Sequence, residues 1–262
     1  MIKLAEKIGL DKELTEKLAV LSEKRGDDIT ALADTCLNKS FSCLNRQNNL
    51  MRLAVILECA KRVKEKYDTF KISETVYFDT MSDIKIWCKN NGIENYGWLQ
   101  NHVKFELFRL GRLQFQLYEC KNKTLSYKKL PFDYGEKLIY IHIPEGEKLD
   151  FDKCKDSLEK ANEFFALYFP QYEYKFYFCE SWLLYENNRD FMDENSNIIK
   201  FMSLFDIAYS VKDDSQAIER IFKKRKILKS TFEEKTSLQK KAKEYMLNGN
   251  KLGMGIGVIS KN

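Results

Sequence analysis

The apolar period of this chain turns from helical to alternating at Arg112, and that change points to a fold joining a helical half to an α/β half. Upstream, Leu14, Leu18 and Leu21 recur at helical spacing after Asp11, a residue suited to capping a helix. Leu32, Ala33, Cys36 and Leu37 form a second, short stripe. Leu50, Leu53, Leu57, Ala60 and Val63 mark a longer third helix after the polar break at residues 45–49. Two more helices are predicted, one from Ser82 through Ile84, Trp87 and Cys88 to near Gly92, the other over Gly97–Leu110 with Leu99, Val103 and Leu107 on one face. The first proline is Pro131, which agrees with a helical first half. From Arg112 onward, Leu113, Phe115 and Leu117 alternate with Arg112, Gln114 and Gln116, the period of a half-buried strand. A domain border falls between Gly111 and Lys123, giving a helical domain over residues 1–120 and a second domain over residues 121–262.

Downstream the chain alternates strands and helices. Lys137–Ile143 reads as a strand stopped by Pro144-Glu145-Gly146, and Asp150 caps a helix with Phe151, Cys154, Leu158, Ala161, Phe165 and Phe169 on its apolar face, ended by Pro170. Tyr174–Leu184 is an aromatic-rich strand, Asn197–Phe205 a short helix and Asp206–Val211 a strand. After another helical stretch, Thr236–Leu247 is a helix closed by Gly249, and Leu252–Ile259 a last strand. This order suits a mixed α/β sheet with helices on its faces, so the fold class is α+β.

Composition removes several classes of function. Hydrophobic residues make up 44% of the chain and charged residues 32%, the signature of a folded chain with a charged surface. The net charge of +5 is small for 262 residues and does not by itself argue for a nucleic-acid partner. The one dense basic run, Lys223, Lys224, Arg225 and Lys226 with Lys229 beyond, reads either as a solvated helix end or as a polyanion contact. Seven cysteines without C-x-x-C spacing and two histidines supply no clustered metal ligands, so no metal is expected. The charged N-terminus lacks a signal-peptide core, and no apolar run approaches the ~20 residues of a membrane span. A cytoplasmic protein with reduced thiols is the expectation.

Seven segments, in order from about residue 76 to residue 259, carry a resemblance. They are Phe78-Asp79-Thr80-Met81-Ser82-Asp83-Ile84; Tyr96-Gly97-Trp98-Leu99; Leu107-Phe108-Arg109-Leu110-Gly111-Arg112-Leu113-Gln114-Phe115; His142-Ile143-Pro144-Glu145-Gly146; Ser181-Trp182-Leu183-Leu184; Ser196-Asn197-Ile198-Ile199-Lys200-Phe201; and Thr236-Ser237-Leu238-Gln239. The chain resembles a bacterial acyltransferase-like family in which a helical N-terminal domain precedes a GNAT-like C-terminal domain. That resemblance implies transfer of an acyl group from an acyl-CoA thioester to an amine acceptor, both small molecules. The rival reading is a GNAT-like ligand-binding or regulatory module without catalysis. Two departures stand out. The Arg/Gln-x-x-Gly-x-Gly/Ala loop of ordinary GNAT enzymes is missing. The family's paired glycines after His-x-Pro are replaced by Glu145-Gly146-Glu147, and a carboxylate there would repel a pyrophosphate.

On this mapping, Ile143, Gly146 and Lys148 precede the Asp150 helix as the cofactor loop, the helix N-terminus and Lys148 meeting the pyrophosphate; otherwise they form a plain strand-to-helix turn. His142, at the strand end, is a candidate base for amine acylation, since an ammonium group cannot attack a thioester. Glu180 is a second candidate base, Ser181 a proton donor and Trp182 a wall of an acyl pocket, unless this aromatic strand is simply core. Arg109, Arg112 and Gln114 either hold an anionic substrate group or serve internal salt bridges. Asn197, at i, i+4 from Phe201, faces either a substrate or the core. His102, inside a helical pattern, reads as structural.

Overall fold

The computed structural model describes residues 1–92, 96–121, 130–223 and 229–261. Two compact units divide it. The first holds residues 1–116, 143–147 and 166–168; the second holds residues 117–142, 148–165 and the chain from Phe169 on.

Five helices build the first unit: α1 (Ile2–Lys7), α2 (Lys12–Asn38), α3 (Asn49–Thr69), α4 (Glu74–Asn91) and α5 (Tyr96–Val103). Side-chain caps start three of them. Asp11 accepts from Leu14 N, Asn48 from Met51 N and Ser73 from Val76 N, each satisfying an orphan donor of the first turn. The two short stripes of the sequence belong to one helix, α2, bent at Arg25, where φ is −138°. Helix α3 is buried on nearly every side through Leu53, Ala54, Val55, Ile56, Leu57, Cys59 and Ala60, as the central helix of a bundle must be. Tyr67, at its end, meets Tyr77, Phe105 and Phe108 edge to face.

The helix expected to reach Leu110 stops at Val103. Phe105 takes a φ of +62°, which no helix accommodates, and Leu107–Leu110 becomes strand β1. It pairs antiparallel with β2 (Leu113–Glu119) across Gly111, whose φ of +81° suits a tight hairpin turn. Arg109 and Arg112 therefore belong to a hairpin rather than to a helix end.

The remaining strands are β3 (Lys137–His142), β4 (Phe176–Ser181), β5 (Asp206–Val211) and β6 (Met254–Ser260), and the six lie in the order β1-β2-β3-β4-β6-β5. The sheet is mixed: β3 and β4 run parallel, while β6 is antiparallel to both β4 and β5. A helical N-terminal region followed by a mixed sheet with helices makes the fold α+β. In the second unit α6 (Phe151–Tyr168) starts at Asp150, whose carboxylate accepts from Lys153 N at 3.0 Å. Asn162 of α6 accepts from the Tyr177 hydroxyl of β4 at 2.7 Å. The helices α7 (Asn197–Met202), α8 (Ser215–Phe222) and α9 (Ser237–Leu247) follow, α9 opened by a reciprocal Thr236–Gln239 capping box. A separate apolar cluster joins α8 and α9 through Ala217, Ile221, Phe222, Phe232, Ala242 and Met246. Strand β4 ends at Ser181, and residues Trp182–Leu184 turn into a 3-10 helix where a longer strand was expected.

Candidate functional site

In the second unit the parallel pair β3–β4 is in register at Ile139–Tyr177 and Tyr140–Phe178. Both strands continue beyond that, β3 to His142 and β4 to Ser181, without extending the register between them. β4 meanwhile stays paired with β6 as far as Ser181–Gly255. The register of the parallel pair thus covers the middle of both strands and reaches neither end. By the alternation of strand side chains, His142 shares a face with Tyr140, and Glu180 shares the same face with Phe178. The structure therefore brings the two candidate bases, both half-buried, to one face of the sheet at the carboxyl ends of the two strands. Ser181 takes the opposite face with Cys179; it is buried, and its hydroxyl accepts from Leu183 N at 3.2 Å to cap the 3-10 turn.

The remaining candidates of this unit lie elsewhere within it. Trp182 packs against the α8–α9 cluster, and its backbone N donates to Gln216 at 2.8 Å. Asn197 is exposed on the first turn of α7, whereas Phe201 of the same helix is fully buried against Phe205. Lys148 is exposed, and its carbonyl accepts from Asp150 N at the start of α6. Lys223 of the basic run closes α8 in the left-handed conformation; Lys224, Arg225 and Lys226 lie outside the described residues.

In the first unit the loop of residues 143–147 is held by a buried arginine. Arg112, only 4% exposed, donates from Nη1 to the Pro144 carbonyl at 3.0 Å and from Nη2 to the Glu147 carbonyl at 2.9 Å. The Gly146 and Glu147 N–H groups have no backbone acceptor among the described residues. Gly146, between them, has a φ of +102°, a conformation costly for any residue with a Cβ. Successive N–H groups in a glycine turn form an anion-binding concavity. The loop carboxylates each face a partner: Glu145 accepts from Asn90 at 2.9 Å, and Glu147 lies 3.7 Å from Arg109 Nη2. Arg109 also donates from Nε to the Gly111 carbonyl, and its backbone N–H is bound by the Thr80 hydroxyl.

Beside the hairpin lies a buried ionic group that sequence reasoning missed. Asp83 of α4 accepts from Trp98 Nε1 at 2.9 Å and bonds His102 Nε2 at 3.0 Å. Burial pushes its carboxyl up, but the bonds from His102 and Trp98 outweigh this and hold it below the usual carboxylate range. Gln114, register partner of Arg109, is fully buried; it lies near enough to favour the ionised Asp83 without a well-formed bond. Gln114 therefore belongs to a buried polar layer. The pairing of Asp83 with His102 joins two helices 19 residues apart, and no spacing rule within one helix finds it.

A parallel strand pair inside a mixed sheet, followed in the chain by a glycine loop and a capped helix, is the frame of a GNAT-like domain. The chain belongs to that family: residues 107–259 match the GNAT-like C-terminal domain, and residues 1–105 match the N-acyltransferase N-terminal domain. No curated protein matches the sequence. Among solved structures, an acyltransferase in complex with decanoyl-CoA and teicoplanin is similar at 18% identity, with a TM-score of 0.78 over 98% of this chain and 86% of that one. An acyltransferase with decanoyl-CoA is similar at 20% identity and TM-score 0.78, and a mutant acyltransferase with octanoyl-CoA at 18% and 0.79. Each of these two comparisons covers 99% of this chain and 87% of the other. At such identities the likeness establishes the fold.

Proposed function

We propose that this protein transfers an acyl group from an acyl-CoA thioester to an amine. The observation that carries the reading is the placement of His142 and Glu180 on one face at the carboxyl ends of the parallel pair β3–β4. Backbone N–H groups at such a strand end polarise a thioester carbonyl and stabilise the oxyanion that forms on it. We assign the pyrophosphate of the donor to the glycine turn at Gly146, whose φ is +102°. His142 takes a proton from the acceptor ammonium, with Glu180 on the same face as the alternative base. The neutral amine then attacks the carbonyl carbon, the C–S bond breaks, and the nitrogen gives up its surplus proton to solvent while the leaving thiolate takes one up, giving amide and free thiol.

The complexes of the similar acyltransferases make decanoyl- and octanoyl-CoA the first donors to offer. The test is thiol release from these donors and acetyl-CoA with a panel of amines, across pH. Turnover should fall on the acid side of an imidazole titration, and His142→Gln should remove that limb and lower the rate about 10²-fold. A folded variant with an unchanged rate and pH profile moves the base to Glu180. Thioester binding without turnover for any amine favours the non-catalytic binding module.

A further inference from the structure

His142 stands at the end of a three-ring stack that begins in the core. Phe178 of β4 is 1% exposed and belongs to the apolar cluster with Leu138, Phe132, Ile256 and Val258. Tyr140, its register partner on β3, lies with its ring centroid 4.3 Å away and its plane tilted by 32°. The His142 imidazole follows at 4.1 Å from Tyr140, again tilted by 32°. Tyr118 buttresses the first two rings, meeting Tyr140 at 5.5 Å and Phe178 at 5.3 Å. Since strand side chains alternate, residues 140 and 142 share one face, and cross-strand register adds Phe178 to the same row.

We propose that Tyr140 is a positioning residue that fixes the plane of the His142 imidazole through its ring, and that its hydroxyl takes no part in the chemistry. The inference rests on the acyl-transfer reading for its catalytic consequence, while the stack itself is independent of that reading. A base at the free end of a strand needs its ring held in one orientation, because small misplacements of a catalytic group carry a large loss of rate. The flat face of Tyr140, itself set by Phe178 and Tyr118, supplies a restraint of that kind. Burial, with the Cys179 and Glu180 groups nearby, raises the Tyr140 hydroxyl well above an ordinary phenol, so it is a poor acid to hand a proton to a leaving thiolate.

The test compares Tyr140→Phe, which keeps the ring, with Tyr140→Leu, which keeps only bulk. With the wild type active, Tyr140→Phe should retain its rate and pH profile. Tyr140→Leu should lose at least about tenfold in kcat, with little change in KM for the acyl donor. Proton NMR gives a readout that needs no turnover, since the chain has two histidines and His142→Gln assigns the signals. The His142 ring protons should show an aromatic ring-current shift in the wild type and Tyr140→Phe that is lost in Tyr140→Leu. Equal loss of rate in both variants would assign the work to the hydroxyl and overturn the proposal. Unchanged His142 signals in a folded Tyr140→Leu protein would overturn it as well. A wild type with the shift but no turnover would sink the acyl-transfer reading and the catalytic part of the proposal, leaving the ring contact as packing.

Discussion

Arg112 and Glu147 are joined through the backbone: the guanidinium donates to the Glu147 carbonyl at 2.9 Å, while the Glu147 carboxylate faces Arg109. The arginine thus shapes the loop by holding its carbonyls, whatever the charge of the side chains on it.

Removing that guanidinium should cost stability as well as ligand affinity. Arg112→Ala leaves the Pro144 and Glu147 carbonyls without their donor and should destabilise the protein by on the order of 3 kcal/mol. Arg112→Lys keeps the charge but cannot span two carbonyls with a planar fork, so calorimetry should show much the same loss. If Arg112 instead grips a ligand directly, the alanine variant keeps its melting temperature and loses only acyl-CoA binding.

Gly146 isolates the loop conformation from packing. A Cβ there would meet Ile86 at 3.5 Å, an ordinary contact, so the strain of a substitution lies in the backbone at φ +102°. Gly146→Val should weaken acyl-CoA binding tenfold or more, roughly the strain of one such residue, with a small change in melting temperature. Titration calorimetry giving equal affinity would remove the loop from the donor site.

Asp83 should give stability a dependence on pH. Its folded carboxyl is held below its ordinary range, so the stabilisation is present above the unfolded pKa of about 3.9 and is lost as pH falls through the lower, folded value. Urea unfolding between pH 7 and pH 2.5 should show this loss, and Asp83→Asn should flatten it. The same variant should cost about 3 kcal/mol at neutral pH, because two buried donors lose a charged acceptor.

The half-exposed Cys43 tests the helical unit. Burial, then Cys36 with its sulfur 3.5 Å away, pushes the Cys43 thiol up to about 11. Alkylation by iodoacetamide should therefore be slow at pH 7 and rise roughly tenfold per pH unit toward pH 10, read by mass spectrometry. Fast labelling at neutral pH would mean that the Cys36–Cys43 contact opens in solution.

Much of the architecture was legible because short-range chemistry marks it. Asp150 caps the helix it was expected to cap, and Asp206–Val211 is a strand with those limits. The misread stretch was residues 104–110, where Leu107 continues the spacing of Leu99 and Val103. The break depends on a left-handed Phe105, and no phenylalanine announces that conformation. β1 is buried at all four residues, so it lacks the alternation that identified β2. Of the site, His142 and Glu180 could be placed on neighbouring strands from the order of elements. The Tyr140 stack and the Asp83–His102 pair could not, since both arise from register and packing between elements far apart in the chain.

β6 lies between β4 and β5 although it is the last of the six strands to be synthesised. During translation β5 has no partner until Met254–Ser260 has emerged, and the β4 edge waits with it. The second unit must therefore close late, around a strand threaded into the middle of a sheet begun without it. Its glycines make that insertion possible, since a Cβ on Gly255 would lie 2.0 Å from the Leu184 carbonyl. A side chain there would act first on folding yield, trapping an open sheet with two sticky edges before any effect on the finished protein could be measured.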